Sequence, residues 1–144
     1  MNKPLILVVE DDAPVRNLIT TTLKANDYRF QTAANGEAGV LATASQNHDI
    51  ILLDLGLPDM DGMEVIKRVR SWSNVPTIVI SSRSEDPDKI DALDAGADVY
   101  LTKPFSVEEL LARLRVTQRR LADMNGDGAG GESVFTNVRL RIDD

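Results

Sequence analysis

Four apolar runs in this chain each end on a residue that can do chemistry. Leu5 to Val9 stops at three consecutive acids, Glu10, Asp11 and Asp12. Ile50 to Leu53 stops at a carboxylate, Asp54, followed by a loop holding Gly56, Pro58 and Gly62. Thr77 to Ile80 stops at Ser81-Ser82, and Val99 to Thr102 stops at Lys103-Pro104. If the runs are strands side by side, these groups meet at one edge. Acids gathered there repel each other unless a cation lies between them. A hard cation with oxygen ligands is the natural occupant, and Mg²⁺ fits best, since it takes one or two carboxylates, waters and a phosphate oxygen. A lysine opposite them suits a phosphoryl group as a point charge. A carboxylate beside Mg²⁺ and lysine is equipped to take a phosphoryl group and form an acyl phosphate. On this reading Asp54 is the reactive carboxylate.

Positioning those groups requires strands that expose only their carboxyl ends. An unbroken apolar run such as Ile50 to Leu53 reads as a strand covered on both faces, central in a parallel sheet. Helical spacing follows each run. Pro14 opens a helix carrying Val15, Leu18, Ile19, Thr22 and Leu23. Asn26-Asp27 stops it, and Tyr28 to Ala33 alternates weakly, as a strand nearer the sheet edge does. Glu37 to Gln46 is a second helix turning Ala38, Leu41 and Ala42 inward. Met63 to Trp72 is a third, with Val65, Ile66 and Val69 as its stripe. Pro87 to Ala95 is a short fourth, capped by Gly96, and Glu108 to Asp123 a fifth. Five strands alternating with five helices imply an α/β fold, a doubly wound five-stranded parallel sheet with right-handed crossovers, of the flavodoxin-like order. In such sheets ligands bind at the carboxyl ends of the strands, where the strand order reverses.

At 144 residues with a 42% apolar fraction the chain supports one core and a tail. A net charge of -7 argues against a basic nucleic-acid face. The absence of cysteine excludes disulfides and thiolate metal sites. The opening MNKPLILVVEDD is too short to span a membrane and meets acids too soon for a secretory signal, so the chain reads as cytoplasmic, with no membrane partner. From Asn125 the texture changes. NGDGAGGE reads as a flexible linker, set at 124–132, and SVFTNVRLRIDD at 133–144 alternates as a strand does. One strand is not a domain, so a second domain is expected to begin there.

Residues 1–123 resemble the receiver domain of a two-component response regulator, a (βα)5 receiver fold. The resemblance rests on VVEDD, IILLDLGLPDMDG, Ser81-Ser82, AGADVYL and TKPF, in that order and spacing. DLGLPDMDG, RSWSNVPTIVISSRSE and DKIDALDAGAD are most similar to Kdp-type potassium-transport regulators of the winged-helix, OmpR/PhoB-type subfamily. FTNVRLRIDD resembles the first strand of that subfamily's DNA-binding domain, whose helix-turn-helix lies outside this sequence.

The resemblance implies roles residue by residue. Asp54 is the phosphoacceptor for the phosphohistidine of a sensor histidine kinase. Glu10 and Asp11 hold Mg²⁺, Asp11 directly and Glu10 through water, and the backbone carbonyl of Gly56 is a further ligand. Lys103 contacts the phosphoryl oxygens. Ser81 is the switch hydroxyl and Tyr100 the switch aromatic. A homodimer forms on phosphorylation through the fourth helix, fifth strand and fifth helix. Lys89, Asp98, Glu109, Arg113 and Arg120 supply its salt bridges, and Ile90, Leu93 and Ala112 its apolar patch. Val99 departs from the pattern, since relatives carry a second aspartate there, so one arginine loses a partner and the dimer is expected to be weaker or differently paired. Promoter DNA would be reached only through the C-terminal domain.

Plainer readings stand beside these. Asp54 alone could be a helix cap, and Asp12 reads mainly as one. Lys103 alone could be a surface lysine, Ser81 a polar strand end, Tyr100 a half-buried edge residue, and the Arg113–Arg120 run a solvated face. His48 has no assigned role. Three other functions compete. Asp59-Met60-Asp61-Gly62 superficially matches the signature of haloacid dehalogenase-type phosphatases, but follows a proline in a loop rather than closing a strand. A flavin or nucleotide site would need a glycine- or hydroxyl-rich phosphate loop where three acids stand. A receiver-like module that is never phosphorylated would be expected to lack the acceptor or metal acids, all of which are present.

Overall fold

The computed structural model describes residues 3–130. Its strands are β1 (Leu5–Val9), β2 (Arg29–Ala33), β3 (Ile50–Asp54), β4 (Thr77–Ser81) and β5 (Val99–Thr102). They alternate with helices α1 (Ala13–Ala25), α2 (Gly36–Ser45), α3 (Gly62–Arg70), α4 (Asp86–Ala95) and α5 (Val107–Gly130). The strands form one parallel sheet in the order β2-β1-β3-β4-β5. The order reverses between β1 and β3, which places the crevice beside Glu10 and Asp54.

Burial follows the apolar runs. Every residue of β1, β3 and β4 is buried, whereas β2, an edge strand, buries only Ala33. Leu7, Val9, Ile51, Leu53 and Val79 join Val65, Ile66 and Val69 of α3 in one core. Removing this much apolar surface from water is the main stabilising term of such a domain. The core rigidly fixes the strand ends, and therefore the groups that project beyond them.

The loops at that end are held by side-chain oxygens acting as caps. Asp12 accepts from the Val15 amide at α1, and Asn35 accepts from the Ala38 amide at α2. Asp59, from the loop after β3, reaches across to accept from the Gly36 and Glu37 amides at 2.7 and 2.9 Å. Asp61 accepts from Met63 N at the start of α3. Each satisfies an amide that a helix start leaves unpaired. Gly62 is required by a close approach: a Cβ there would stand 2.7 Å from the Asp54 carbonyl oxygen and the Leu55 Cα. Gly96 ends α4 at φ 125°, a left-handed value that suits glycine alone.

Two expectations are corrected. Leu41 does not turn inward on α2: it is 59% exposed, and Val40, 7% exposed, takes its place. The inward stripe runs through Gly36, Gly39 and Val40. A Cβ on Gly39 would lie 3.0 Å from a Val9 methyl, so the helix backbone itself closes on β1. The second correction concerns 124–132. α5 continues through Gly130, where a linker was expected from residue 124. No proline interrupts this stretch, and once a helix is nucleated each added residue gains a hydrogen bond that offsets glycine's poor propensity. The expected strand at 133–144 and the remainder of the linker lie outside the described residues.

The chain divides into one compact unit through Val107 and another from Glu108. The first holds the sheet and four helices; the described part of the second is α5, in which Leu110 and Leu114 are fully buried. Among the described residues no helix is long and apolar enough to cross a membrane.

Candidate functional site

The sheet brings Glu10, Asp11, Asp54 and Lys103 together. β1 delivers Glu10, whose N–H donates to the Ala33 carbonyl of β2 at 3.0 Å, so the residue is still held as strand when its side chain leaves the core. β3 delivers Asp54 one strand away. β5 delivers Lys103, whose N–H donates to the Ser81 carbonyl at 2.8 Å across the last rung of the sheet. The Lys103 Nζ then lies 2.9 Å from Glu10 Oε1 and 3.5 Å from Asp54 Oδ2. Glu10 is 2% exposed and Asp54 7%, while Asp11 is open to solvent.

Electrostatics show the strain of this arrangement. Burial pushes the Glu10 carboxyl up to about 7, and the Asp54 charge pushes the same way against the Lys103 hydrogen bond. Burial favours loss of the Lys103 proton, but the contacts with Glu10 and Asp54 outweigh it and its pKa is raised. One ammonium faces two carboxylates, so the site has room for more positive charge. Oxygens of Glu10, Asp11 and Asp54 all lie within 4.8 Å of one another. Three carboxylates at that spacing, one open to solvent, are a hard-oxygen donor set that fits Mg²⁺.

The remaining expected residues have distinct places. The Gly56 amide donates to Asp54 Oδ1 at 3.2 Å, fixing the orientation of the carboxylate. Ser81, fully buried, accepts at Oγ from the Arg83 amide at 3.0 Å. The Tyr100 hydroxyl donates to the Arg83 carbonyl at 2.6 Å. Ser81 and Tyr100 therefore meet through one residue of the loop after β4. On α4, Ile90 and Leu93 are 55% and 45% exposed, whereas Ala92 is the buried residue of that helix. Lys89 is half-buried. Asp98 is engaged within the chain: its Oδ2 accepts from Thr77 N at 2.8 Å and from Arg70 at 3.3 Å. On α5, Glu109, Arg113 and Arg120 are exposed and Ala112 half-buried.

The sequence reading missed three groups. Arg16 donates from Nη1 to the carbonyls of Glu10 at 2.8 Å and Asp11 at 3.3 Å. A signal existed, because a cation in the first turns of a helix opposes the helix dipole and needs a reason to be there. Arg83 pairs with Asp61 at 3.0 Å, joining the loops after β3 and β4. Arg70, largely buried, donates to the Gly96 and Ser73 carbonyls as well as to Asp98. The contacts of Arg83 with Asp61 and of Arg70 with Gly96 and Asp98 are long-range and have no local pattern. Asp59 and Asp61 both act as helix caps, which accounts for the phosphatase-like signature without a nucleophile. His48 precedes β3, at the opposite end from Asp54, and contacts Gln31.

Comparison with known proteins agrees with this geometry. The family model for the response regulator receiver domain matches residues 6–115. The KDP operon transcriptional regulatory protein KdpE of Escherichia coli is 52% identical over 115 residues, covering 80% of this chain and 51% of that protein. The chain thus spans about half the length of the curated relatives it matches. The Francisella response regulator 1452 receiver domain superposes with a TM-score of 0.79 at 32% identity, covering 83% of this chain and 99% of that one. The receiver domain of the Pseudomonas aeruginosa sensor histidine kinase PA1611, with a magnesium ion coordinated in its active-site cleft, gives 0.73 at 32% identity, covering 82% and 97%.

Proposed function

The chain belongs to the response regulator receiver family, and from that premise we propose that Asp54 takes a phosphoryl group from the phosphohistidine of a sensor kinase. An Asp54 oxygen forms the new bond to phosphorus. The bond from phosphorus to the imidazole nitrogen breaks, and its electron pair stays on the imidazole. The product is an acyl phosphate on Asp54. The observation that carries the reading is the meeting of Asp54 with Lys103, Glu10 and Asp11 at one strand edge.

Each residue has a part. Gly56 N–H holds the acceptor carboxylate in place. Lys103 stands where its ammonium can pair with phosphoryl oxygens as they arrive. Glu10, Asp11, Asp54 and the Gly56 carbonyl would hold Mg²⁺, Asp11 directly and Glu10 through water; bound there, the ion offsets the repulsion between an anionic acceptor and an anionic phosphoryl group. The magnesium in the PA1611 receiver supports this choice of ion.

The new group brings roughly -1.5 to -2 charges and strong acceptors. Ser81 donates its hydroxyl proton to one of them. Tyr100 responds through their shared contact with Arg83, and the population shifts between two packings of the loop after β4. The output is dimerisation through α4, β5 and α5. Transcriptional control, with potassium-transport genes as the favoured target, would be exerted through a C-terminal DNA-binding domain. Phosphoryl gain and loss on Asp54 is the only chemistry assigned to the chain, which acts in the cytoplasm.

Incubation with Mg²⁺ and acetyl phosphate, followed by intact mass, tests the reading. One added phosphoryl group is expected in the wild type and none in Asp54→Asn or with chelator. No added mass under any donor would overturn the phosphoacceptor role and leave an interaction module.

A further inference from the structure

We infer that Arg16 is a positioning residue for the cation site: its guanidinium fixes the two backbone carbonyls from which Glu10 and Asp11 project. The inference rests on the proposed Mg²⁺ site. The turn between β1 and α1 must aim two adjacent side chains at one point, although successive residues of a strand point to opposite faces. The backbone therefore has to twist at Glu10 and Asp11, and something has to hold the twist.

On one side, the N–H of Glu10 is held by β2 through Ala33. On the other, the Asp12 amide donates to Glu10 Oε2 at 3.2 Å, and Asp12 caps α1. Arg16 Nη1 takes the Glu10 carbonyl at 2.8 Å and the Asp11 carbonyl at 3.3 Å. The Arg16 amide donates to the Asp12 carbonyl at 2.8 Å, so the guanidinium is anchored to the same turn it clamps. Arginine carries several donors on a rigid plane, which suits two neighbouring oxygens better than lysine's point charge. Partners that orient metal ligands typically change affinity 10- to 100-fold when removed.

Charge alone makes the opposite prediction. A guanidinium near a divalent cation repels it, so its removal would tighten binding severalfold if electrostatics dominated. The sign of the change therefore decides between the two effects.

The test is a Mg²⁺ titration of the full ¹⁵N-labelled chain, with no phosphodonor, for wild type, Arg16→Met and Arg16→Lys. Arg16→Met is expected to raise the dissociation constant at least tenfold and to shift the metal-free amide signals of Glu10, Asp11 and Asp12. Arg16→Lys keeps the charge and is expected to be weakened severalfold, a loss that charge cannot explain. Should Arg16→Met fail to fold in chelator, Arg16→Lys alone decides. Dissociation constants within twofold of wild type, or tighter, would overturn the inference and leave the cation site standing. No Mg²⁺ binding by the wild type would overturn both.

Discussion

Asp54 sits where it is costly to the fold. Its charge faces a buried Glu10 whose carboxyl is pushed up to about 7 by burial and by Asp54 itself, and a single ammonium serves both. Neutralising Asp54 removes that repulsion while keeping the shape. In chelator, Asp54→Asn should therefore be more stable than wild type by about 1 kcal/mol, a rise of roughly 3 °C in Tm. Added Mg²⁺ should reverse the order, because the wild type gains binding energy that the variant largely lacks. Melts with and without the ion check both halves; equal Tm values in chelator would show that Lys103 already balances the site. Much of this residue-level picture was legible in the sequence. An acid or a lysine that ends an apolar run must emerge at a strand's carboxyl end, so Asp54 and Lys103 could be placed by reading one short stretch each. Arg83 could not, because its partner is defined by loop geometry rather than by position in a pattern, and Arg16 left only the signal of a cation in the first turns of a helix, which names no partner.

At the level of elements, the loop after β3 does more than follow Asp54. Asp59 leaves it to cap α2, 23 residues earlier in the chain, so the start of α2 is fixed by the strand that bears Asp54. The Glu37 and Gly36 amides hold the Asp59 carboxyl below the usual carboxylate range. A carboxylate whose pKa is lower folded than unfolded adds stability that is fully present above the unfolded value, near 3.9. That stability fades as pH falls through the folded value. Asp59→Asn should thus lower stability at pH 7, and the gap to wild type should close in strong acid. Denaturant melts across that range measure it, and a gap independent of pH would mean that the cap acts through shape alone. The elements themselves were largely legible, since apolar runs and caps gave each strand, and each helix but α5, within a residue or two. The inward face of α2 was legible only at Ala42, because the rest of its buried stripe is built on Gly36, Gly39 and Val40. Counting large side chains selects Leu41, whereas the helix approaches β1 by having almost no side chain there. The extension of α5 through Gly130 escaped for a related reason: composition marks where a helix is poor, not where it must stop.

For the whole molecule, the open question is what the exposed apolar residues of α4 serve. Ile90 and Leu93 project into solvent from a helix whose buried contact is Ala92. The proposed phosphorylation-driven dimer takes them as its apolar patch. Asp98, one of the acids assigned to the same face, is already engaged by Thr77 N and Arg70, and Val99 offers no second acid. Surface ion pairs contribute about 0–1 kcal/mol each, so with one acid engaged and another missing, the apolar pair should carry most of the association. Burying an isoleucine or a leucine is worth roughly 1.5–3 kcal/mol, and half of that for each already exceeds one such pair. The double variant Ile90→Glu, Leu93→Glu should therefore weaken the phosphorylated dimer by tenfold or more in sedimentation, while gaining a phosphoryl group from acetyl phosphate at the wild-type rate. Asp98→Asn should weaken it far less and instead lower the melting temperature of the monomer, because its oxygen is tied to Thr77 and Arg70. If Asp98→Asn abolished the dimer and the double glutamate did not, association would run through ion pairs, and the contact with Arg70 would have to open when the dimer forms.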